Sequence, residues 1–370
     1  MKTVRRLLYN DILSSVAFVS LAFLSLFYFI DFVDELDGVG SGGRTAWTAV
    51  LAAALEVPGH LYELMPIAVL IGTIFSLSRL AQSSEFTILR TGGLGPGRAL
   101  GLLAVLGVGF GVLTFVVGDY IAPLADRQAL LLKARDNGGL QLGSAGTWLK
   151  ERRMTPDGEH AFSINVSGTG AGGQLAGIRI FEFDADGRQI TRIQAAEGRA
   201  DAQGTWTLKD ADIARWPRAR TADSPRVQLS REASFEWPST LTASMVASAV
   251  LPLATLTTAE LWRYSAHLGD QEQANERYQI LFWKKALYPL ACLVMVALAL
   301  PFAYMHARAG SVSFKVFGGI MLGIGFVLLN NLAGHLGLLR GWTPWVAAAM
   351  PSGLFLLMSL GAFAWLVRYR

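Results

Sequence analysis

Charged residues are scarce in this sequence: Asp, Glu, Lys and Arg make up 16% of its 370 residues, against roughly 25% in a typical globular domain. Cysteine is almost absent, because Cys292 is the only one, and a single thiol excludes an internal disulfide. Apolar residues instead reach 52% of the chain, and the mean hydropathy is +0.39. The composition excludes a disordered chain, a disulfide-stapled domain and an ordinary soluble enzyme, and it indicates an integral membrane protein.

The motifs of common catalytic sites are also missing. None of the seven lysines follows a glycine, so there is no Walker A loop, and the Gly-rich run at 92–97 is interpreted as a membrane loop. No His-Glu-x-x-His motif occurs, and no nucleophile elbow indicates a catalytic triad. We therefore predict no catalytic residue, no cofactor and no metal site. The five histidines are isolated along the chain: His60, His160, His267, His306 and His335.

Six stretches are long and apolar enough to cross a bilayer, for which a helix needs about 20 residues. They are predicted at 12–33, 57–78, 99–118, 281–303, 315–337 and 344–367. The first is too long for the apolar core of a signal peptide, so we expect it to be an uncleaved helix.

The basic residues predict the orientation of these spans. Ten flank one side: Lys2, Arg5, Arg6, Arg79, Arg90, Arg98, Arg308, Lys315, Arg368 and Arg370. Only Arg44 and Arg340 lie in the two short loops on the other side. Both termini are therefore expected in the cytoplasm. Lys284 and Lys285, at the outer end of span four, break the pattern.

A polar block separates spans three and four and is expected on the outer side of the membrane. Short strands separated by turns, such as the run 175–183 followed by the Asp-Ala-Asp-Gly turn at 184–187, favour a β-sandwich, a jelly roll or a similar sheet. The predicted fold is thus membrane α-helical, with six transmembrane helices and an inserted periplasmic all-β, jelly-roll-like domain. The predicted boundaries are 1–124 for spans one to three with a cytoplasmic loop at 79–98, 125–252 for the β-domain, and 253–370 for a linker helix and spans four to six.

The loop between spans two and three predicts a short amphipathic cytoplasmic helix. A serine can cap its start, an acid suits its positive end, and two glycines end it. Such a helix either docks in a groove of a cytosolic partner or lies on the lipid surface, and the chemistry of the loop favours neither. If the helix docks, the candidate residues that would couple the chain to its partner are Ser84, Glu85, Phe86, Ile88, Leu89, Arg90, Gly92 and Gly93.

This loop resembles the Ser-Glu…Gly segment of the LptF/LptG family, the permease subunits of the lipopolysaccharide-export ABC transporter. The resemblance covers nearly the whole chain and is closer to the LptG members. Further landmarks that carry it are Phe32-Val33-Asp34, Met65-Pro66, Ile121-Ala122-Pro123, Arg277-Tyr278-Gln279, Trp283, Lys285, Pro289-Leu290, Pro344 and Met350-Pro351.

The resemblance implies a permease without enzyme activity of its own. Its expected partners are an LptF-like permease, two copies of an LptB-like ATPase that receive the loop bearing Glu85, an LptC-like membrane-anchored jelly-roll protein and, indirectly, a periplasmic LptA-like bridge. The substrate would be lipopolysaccharide, extracted from the inner membrane, and no nucleic acid is involved. The alternative is a membrane receptor or assembly scaffold whose β-domain binds a periplasmic ligand. A membrane-embedded hydrolase, the third class, has no motif to support it.

The resemblance also directs attention to substrate contacts. Lys284 and Lys285, with Arg277 as a weaker candidate, are expected to hold lipid phosphates, or else to snorkel at a helix end. Asp31 and Asp34 depart from the family pattern, in which basic residues stand at the end of span one; we hypothesise a substrate with less phosphate, or divalent ions that bridge acid to acid. Asn330 and Asn331 are expected to hydrogen-bond between helices or to form a lateral gate.

Overall fold

The computed structural model describes most of the chain. Its described residues are 2–37, 39–40, 45–83, 85–93, 95–136, 140–141, 146–156, 158–169, 174–201, 204–217, 227–241, 246, 255–270, 276–304 and 312–369. Of the predicted coupling residues, Ser84 lies outside them, as do the side chains of Phe86 and Arg90.

Nine α-helices form the described helical part. They are α1 (Lys2–Leu36), α2 (Ala46–Gln82), α3 (Glu85–Thr91), α4 (Pro96–Val116), α5 (Ala122–Asp136), α6 (Thr258–Asp270), α7 (Glu276–Tyr304), α8 (Val312–Arg340) and α9 (Pro344–Tyr369). Six spans in this part are long and apolar enough to cross a membrane, so the predicted count is confirmed. The helices extend beyond the apolar stretches at several ends.

Span three is one helix that passes through a π-helical turn. The turn at Val117–Ile121 joins α4 to α5, and the whole span runs over Pro96–Lys133. The ring of Tyr62 lies against Gly118 of this turn and leaves no room for a Cβ there. Turns of this kind occur frequently at functional sites.

The helices pack around α2 and α7. Ile12 of α1, Ile74 of α2, Leu103 of α4 and Val296 of α7 lie in one buried apolar cluster. Gly72 permits the close approach of α1, since a Cβ there would stand 2.7 Å from the backbone of Val16.

In contrast, α1, α8 and α9 leave large apolar side chains exposed, among them Phe18, Leu21, Phe314, Leu328 and Leu357. Such faces suit lipid or other helices.

The polar block folds as a β-domain, as the sequence predicts. Seven strands form one antiparallel sheet: β1 (Leu140–Gln141), β2 (Thr147–Thr155), β3 (Gly158–Thr169), β4 (Leu175–Phe183), β5 (Gln189–Ala200), β6 (Thr205–Arg215) and β7 (Gln228–Pro238). β1 and β2 both pair with β3, and each later strand pairs with its predecessor. The described strands therefore follow an up-and-down order, without the Greek-key crossovers of a jelly roll.

The sheet curls until its last strand meets its first ones. The rings of Phe162 in β3 and Trp237 in β7 lie 5.7 Å apart, although three strands separate β3 from β7 in the sheet order β3-β4-β5-β6-β7. The buried Glu151 of β2 accepts hydrogen bonds from the hydroxyl of Ser239 (2.6 Å) and the amide of Thr240 (2.9 Å), just beyond β7. These contacts close the domain around one apolar core.

Candidate functional site

The C-terminal ends of α1 and α5 and the N-terminal part of α2 are joined by ion pairs. Nε2 of His60 lies 2.8 Å from a carboxylate oxygen of Asp31. Nζ of Lys133 lies 2.6 Å from Glu35 and 2.7 Å from Glu56. All five side chains are half-buried. The group combines one lysine and one histidine with three carboxylates, and it brings span one against the extended end of span three.

The acidic end of span one thus divides into two kinds of residue. Asp31 and Glu35 are paired within the chain, whereas Asp34 and Asp37 are exposed. Of the two acids predicted to face a substrate, the exposed Asp34 is the one without a pairing cation among the described residues. Two histidines that are isolated along the sequence have carboxylate partners in the fold. His60 bonds to Asp31 and His160 bonds to Glu182, each at 2.8 Å.

Lys285 is built into a junction between the membrane helices and the segment that enters α6. Its Nζ donates a hydrogen bond to the carbonyl oxygen of Leu256 (2.6 Å) and lies 4.0 Å from a carboxylate oxygen of Asp119. The same oxygen of Asp119 accepts hydrogen bonds from the amide (2.7 Å) and the hydroxyl (2.6 Å) of Thr258. The π-helical turn that carries Asp119 therefore holds the start of α6.

Arg127 and Glu260 complete this junction. Their side chains are 2.5 Å apart, and Arg127 also donates to the carbonyl oxygen of Thr255 at 3.3 Å. Glu260 accepts a hydrogen bond from the amide of Thr257, whose hydroxyl accepts one from the amide of Glu260, so the two residues form a capping box at the start of α6. Burial acts to raise the pKa of Glu260, but the hydrogen bonds from Thr257 and the charge of Arg127 outweigh it and lower that pKa.

Lys284 points to a different neighbour. Its Nζ lies where α7 passes α8, and a Cβ on Gly334 would stand 2.6 Å from it. The side chain is half-buried, and its ammonium has no hydrogen-bond or ion-pair partner among the described residues. Because Gly334 has no side chain, the side chain of Lys284 fits into the space beside it. Of the two lysines, only Lys285 thus has a hydrogen-bond or ion-pair partner among the described residues.

The remaining predicted contacts lie at different depths. Arg277 is exposed in the first turn of α7. Asn331 is exposed, and its backbone carbonyl accepts a hydrogen bond from the ring of His335 at 2.8 Å. Asn330 is half-buried, and the i,i+4 spacing places it on the same face of α8 as Gly334. Asn330 therefore lies one turn from Gly334, the residue that Lys284 contacts.

At the opposite end of the bundle, α3 forms the predicted short helix. Glu85 and Ile88 are exposed, with 66% of Ile88 accessible, whereas Leu89 packs against the apolar cluster of the spans. The amide of Gly92 donates to the carbonyl of Ile88, and Gly93 adopts a φ of +97°, which ends the helix. Among the described side chains of α3, the exposed apolar one is thus Ile88, and Leu89 anchors the helix.

The sequence missed Asp119, Arg127 and Lys133, which organise the outer site. Their position in the sequence could have indicated their role, because these charged residues follow an apolar run and precede the strands. In the fold, the helix continues through them. Their partners lie far away in sequence; Lys133 and Glu56, for example, are 77 positions apart.

Comparison with known proteins places this geometry in context. The family model "Lipopolysaccharide export system permease LptF/LptG" matches residues 6–368. The chain is similar to the lipopolysaccharide export system permease protein LptG of Escherichia coli (strain K12), with 27% identity over 355 residues and 95% of each chain covered. It is also similar to LptG of Haemophilus influenzae, with 24% identity over 359 residues and 96% of each chain covered. These matches run through all six spans, α3 and the β-domain.

Proposed function

Because this chain belongs to the LptF/LptG family of lipopolysaccharide export permeases, we propose that it extracts lipopolysaccharide from the inner membrane and passes it to a periplasmic bridge toward the outer membrane. The observation that carries the proposal is the family match over residues 6–368, which includes the six spans and the inserted β-domain. The ATP that drives the transport is hydrolysed on a separate LptB-like subunit, of which two copies serve the transporter.

The proposed topology has both termini in the cytoplasm and the β-domain in the periplasm. Its support is the distribution of basic residues, which favours the cytoplasmic side at the N-terminus, at the α2–α4 connection and at the C-terminus. In this orientation α3 faces the cytosol, and the junction around Lys285 lies at the periplasmic surface beneath the β-domain.

The proposed contact with the ATPase is α3. The exposed Ile88 supplies an apolar anchor for a groove, and Glu85 supplies a charge near the start of the helix. Leu89 packs against the spans and holds the helix in place. Asp11 of α1 bonds to the hydroxyl of Ser76 (2.5 Å) and to Arg79, which fixes the last turns of α2 immediately before α3. A movement of α3 is therefore transmitted to α1 and α2.

The proposed phosphate contact is Lys284, with Arg277 above it at the start of α7. The support is the ammonium position against Gly334, without a partner among the described residues. Lys285 serves instead as a positioning residue, because the carbonyl of Leu256 and Asp119 engage it. Asn330 and Asn331 belong to the proposed lateral gate, since Asn330 shares a face of α8 with Gly334.

The remaining proposed partners are an LptF-like permease, an LptC-like membrane-anchored jelly-roll protein and the LptA-like bridge. The exposed apolar faces of α1 and α8 support a helix partner in the bilayer. The β-domain offers strand edges: β7 pairs only with β6 among the described strands, and a free edge suits addition of another strand.

Depletion of this chain in the cells that make it tests the function directly. Lipopolysaccharide is expected to disappear from newly made outer membrane and to accumulate in inner-membrane fractions, while an ectopic wild-type copy restores delivery. Unchanged surface lipopolysaccharide after depletion would contradict the proposal.

A further inference from the structure

Three metal-binding side chains converge between α1 and α2. Asp31 of α1 and Glu56 and His60 of α2 each offer one donor atom, and these atoms all lie within 4.8 Å of one another. Glu56 and His60 are four residues apart, so they lie on one face of α2, one turn apart. Asp31 approaches that face from the neighbouring helix. The ring of Phe27 stacks on His60 at 4.9 Å and fixes the plane of the imidazole.

Glu56 and His60 line an open cavity of about 250 Å³. It has room for several water molecules, each of which takes about 30 Å³ in the liquid. Carboxylates dominate the surroundings: Asp31, Glu35, Glu56, Glu63 and Asp126 stand against Lys133 and His60. In a site half-removed from water, this excess of negative charge favours a cation.

We propose that Asp31, Glu56 and His60 bind one divalent transition-metal ion of the Zn²⁺ type. A mixed set of one imidazole nitrogen and two carboxylate oxygens suits Zn²⁺ better than Mg²⁺ or Ca²⁺, which prefer oxygen alone. Three protein ligands leave a coordination position open to water from the cavity. The inference rests on the geometry of α1, α2 and α5 and stands whether or not the chain exports lipopolysaccharide.

Binding requires two changes in the arrangement. The bond between His60 and Asp31 at 2.8 Å gives way to metal ligation by both residues. Lys133, 2.7 Å from Glu56, withdraws from that carboxylate and keeps its pair with Glu35. Lys133 is therefore a competitor for the metal, and this sets the proposed site apart from a purely structural ion-pair cluster.

The experiment is isothermal titration of Zn²⁺ into the chelator-stripped, full-length chain in its purified complex. The wild type is expected to bind one ion saturably. Asp31→Asn and His60→Gln are each expected to weaken binding at least about tenfold, as loss of a ligand does. The matched controls are Asp34→Asn and His335→Gln, which make the same chemical changes at exposed positions of α1 and α8.

A third variant tests the competition. Lys133→Met removes the ammonium from Glu56 and is expected to tighten zinc binding several-fold, even though it lowers thermal stability. A structural cluster predicts the loss of stability without the gain in affinity. The proposal is overturned if the wild type shows no saturable binding, if the Asp31 and His60 variants bind like the wild type, or if Lys133→Met fails to raise the affinity.

Discussion

Nζ of Lys285 lies 2.6 Å from the carbonyl oxygen of Leu256, so the outer end of α7 is hydrogen-bonded to the segment that leads from the β-domain into α6. The adjacent Lys284 points instead toward Gly334 on α8. Two consecutive lysines at the same depth thus have different surroundings, because neighbouring side chains on a helix point about 100° apart. This difference supports the positioning role proposed for Lys285 and the substrate contact proposed for Lys284.

The first prediction concerns Lys285. Lys285→Met removes a charged donor from a buried carbonyl and is expected to lower the free energy of unfolding by about 1.5–3 kcal/mol, the usual range for such bonds. Thermal unfolding of the purified complex measures it as a lower midpoint. An unchanged midpoint would mean that the bond to Leu256 does not hold the junction.

The second prediction concerns Lys284, for which Lys285→Met serves as the comparison. Lys284→Glu is expected to reduce lipopolysaccharide-stimulated ATP hydrolysis by about tenfold, a loss of about 1.4 kcal/mol of binding, while basal hydrolysis and the unfolding midpoint stay near wild type. Assays of the reconstituted complex with and without lipopolysaccharide separate the two rates. Equal loss of basal and stimulated hydrolysis would indicate a folding defect and count against a phosphate contact.

The third prediction concerns the two faces of α3. Ile88→Asp is expected to abolish co-purification of the ATPase without lowering the stability of the chain, because this side chain is exposed. Leu89→Ala is expected to lower stability, because Leu89 packs against the spans. Pull-down and thermal unfolding of both variants test the assignment, with Thr91→Ala as a control on the same helix. Full ATPase retention by Ile88→Asp would refute the coupling role of this face.

The fourth prediction concerns closure of the β-domain. Glu151→Ala leaves the hydroxyl of Ser239 and the amide of Thr240 without their carboxylate, and it is expected to cost about 1–3 kcal/mol. Arg153, which lies over Phe162 at 4.6 Å, also loses a nearby charge. Limited proteolysis of the assembled complex is expected to cut the domain faster than in the wild type. An unaltered cleavage rate would argue that the core alone closes the sheet.

The fifth prediction concerns acid stability at α6. The folded state lowers the pKa of Glu260, so its carboxylate stabilises the fold above the ordinary pKa near 4.5, and this contribution is lost as the pH falls through the lower, folded value. Glu260→Gln is expected to lower the unfolding midpoint at pH 7 and to flatten its decline below about pH 4.5. Parallel midpoint curves for the two proteins would contradict the assignment.

Much of the helical architecture was readable from the sequence because burial in a bilayer demands long apolar runs. Six such runs gave the six spans, and the polar block between the third and fourth gave the β-domain. Strand β4 (Leu175–Phe183) and the turn that follows it were located by their own residues, and Ile178 and Ile180 are buried as alternation requires.

The outer site was not readable in the same way. Hydropathy ends span three at 118, yet the helix continues to Asp136 because Arg127 and Lys133 find carboxylates on α6, α1 and α2. Those partners are remote in sequence, and no local period connects them. The π-helical turn at Val117–Ile121 likewise contacts the ring of Tyr62 from another helix at Gly118.

The most direct test of the account is photo-crosslinking of lipopolysaccharide to α7 in proteoliposomes that contain the full transporter. A photoreactive residue at position 284 is expected to capture lipopolysaccharide, and ATP is expected to reduce the adduct as the lipid leaves. The same residue in place of Leu339, which is 82% exposed at the outer end of α8, controls for contact with bulk lipid. Adducts at 284 that match the control and ignore ATP would contradict the claim that this chain holds and releases the lipid.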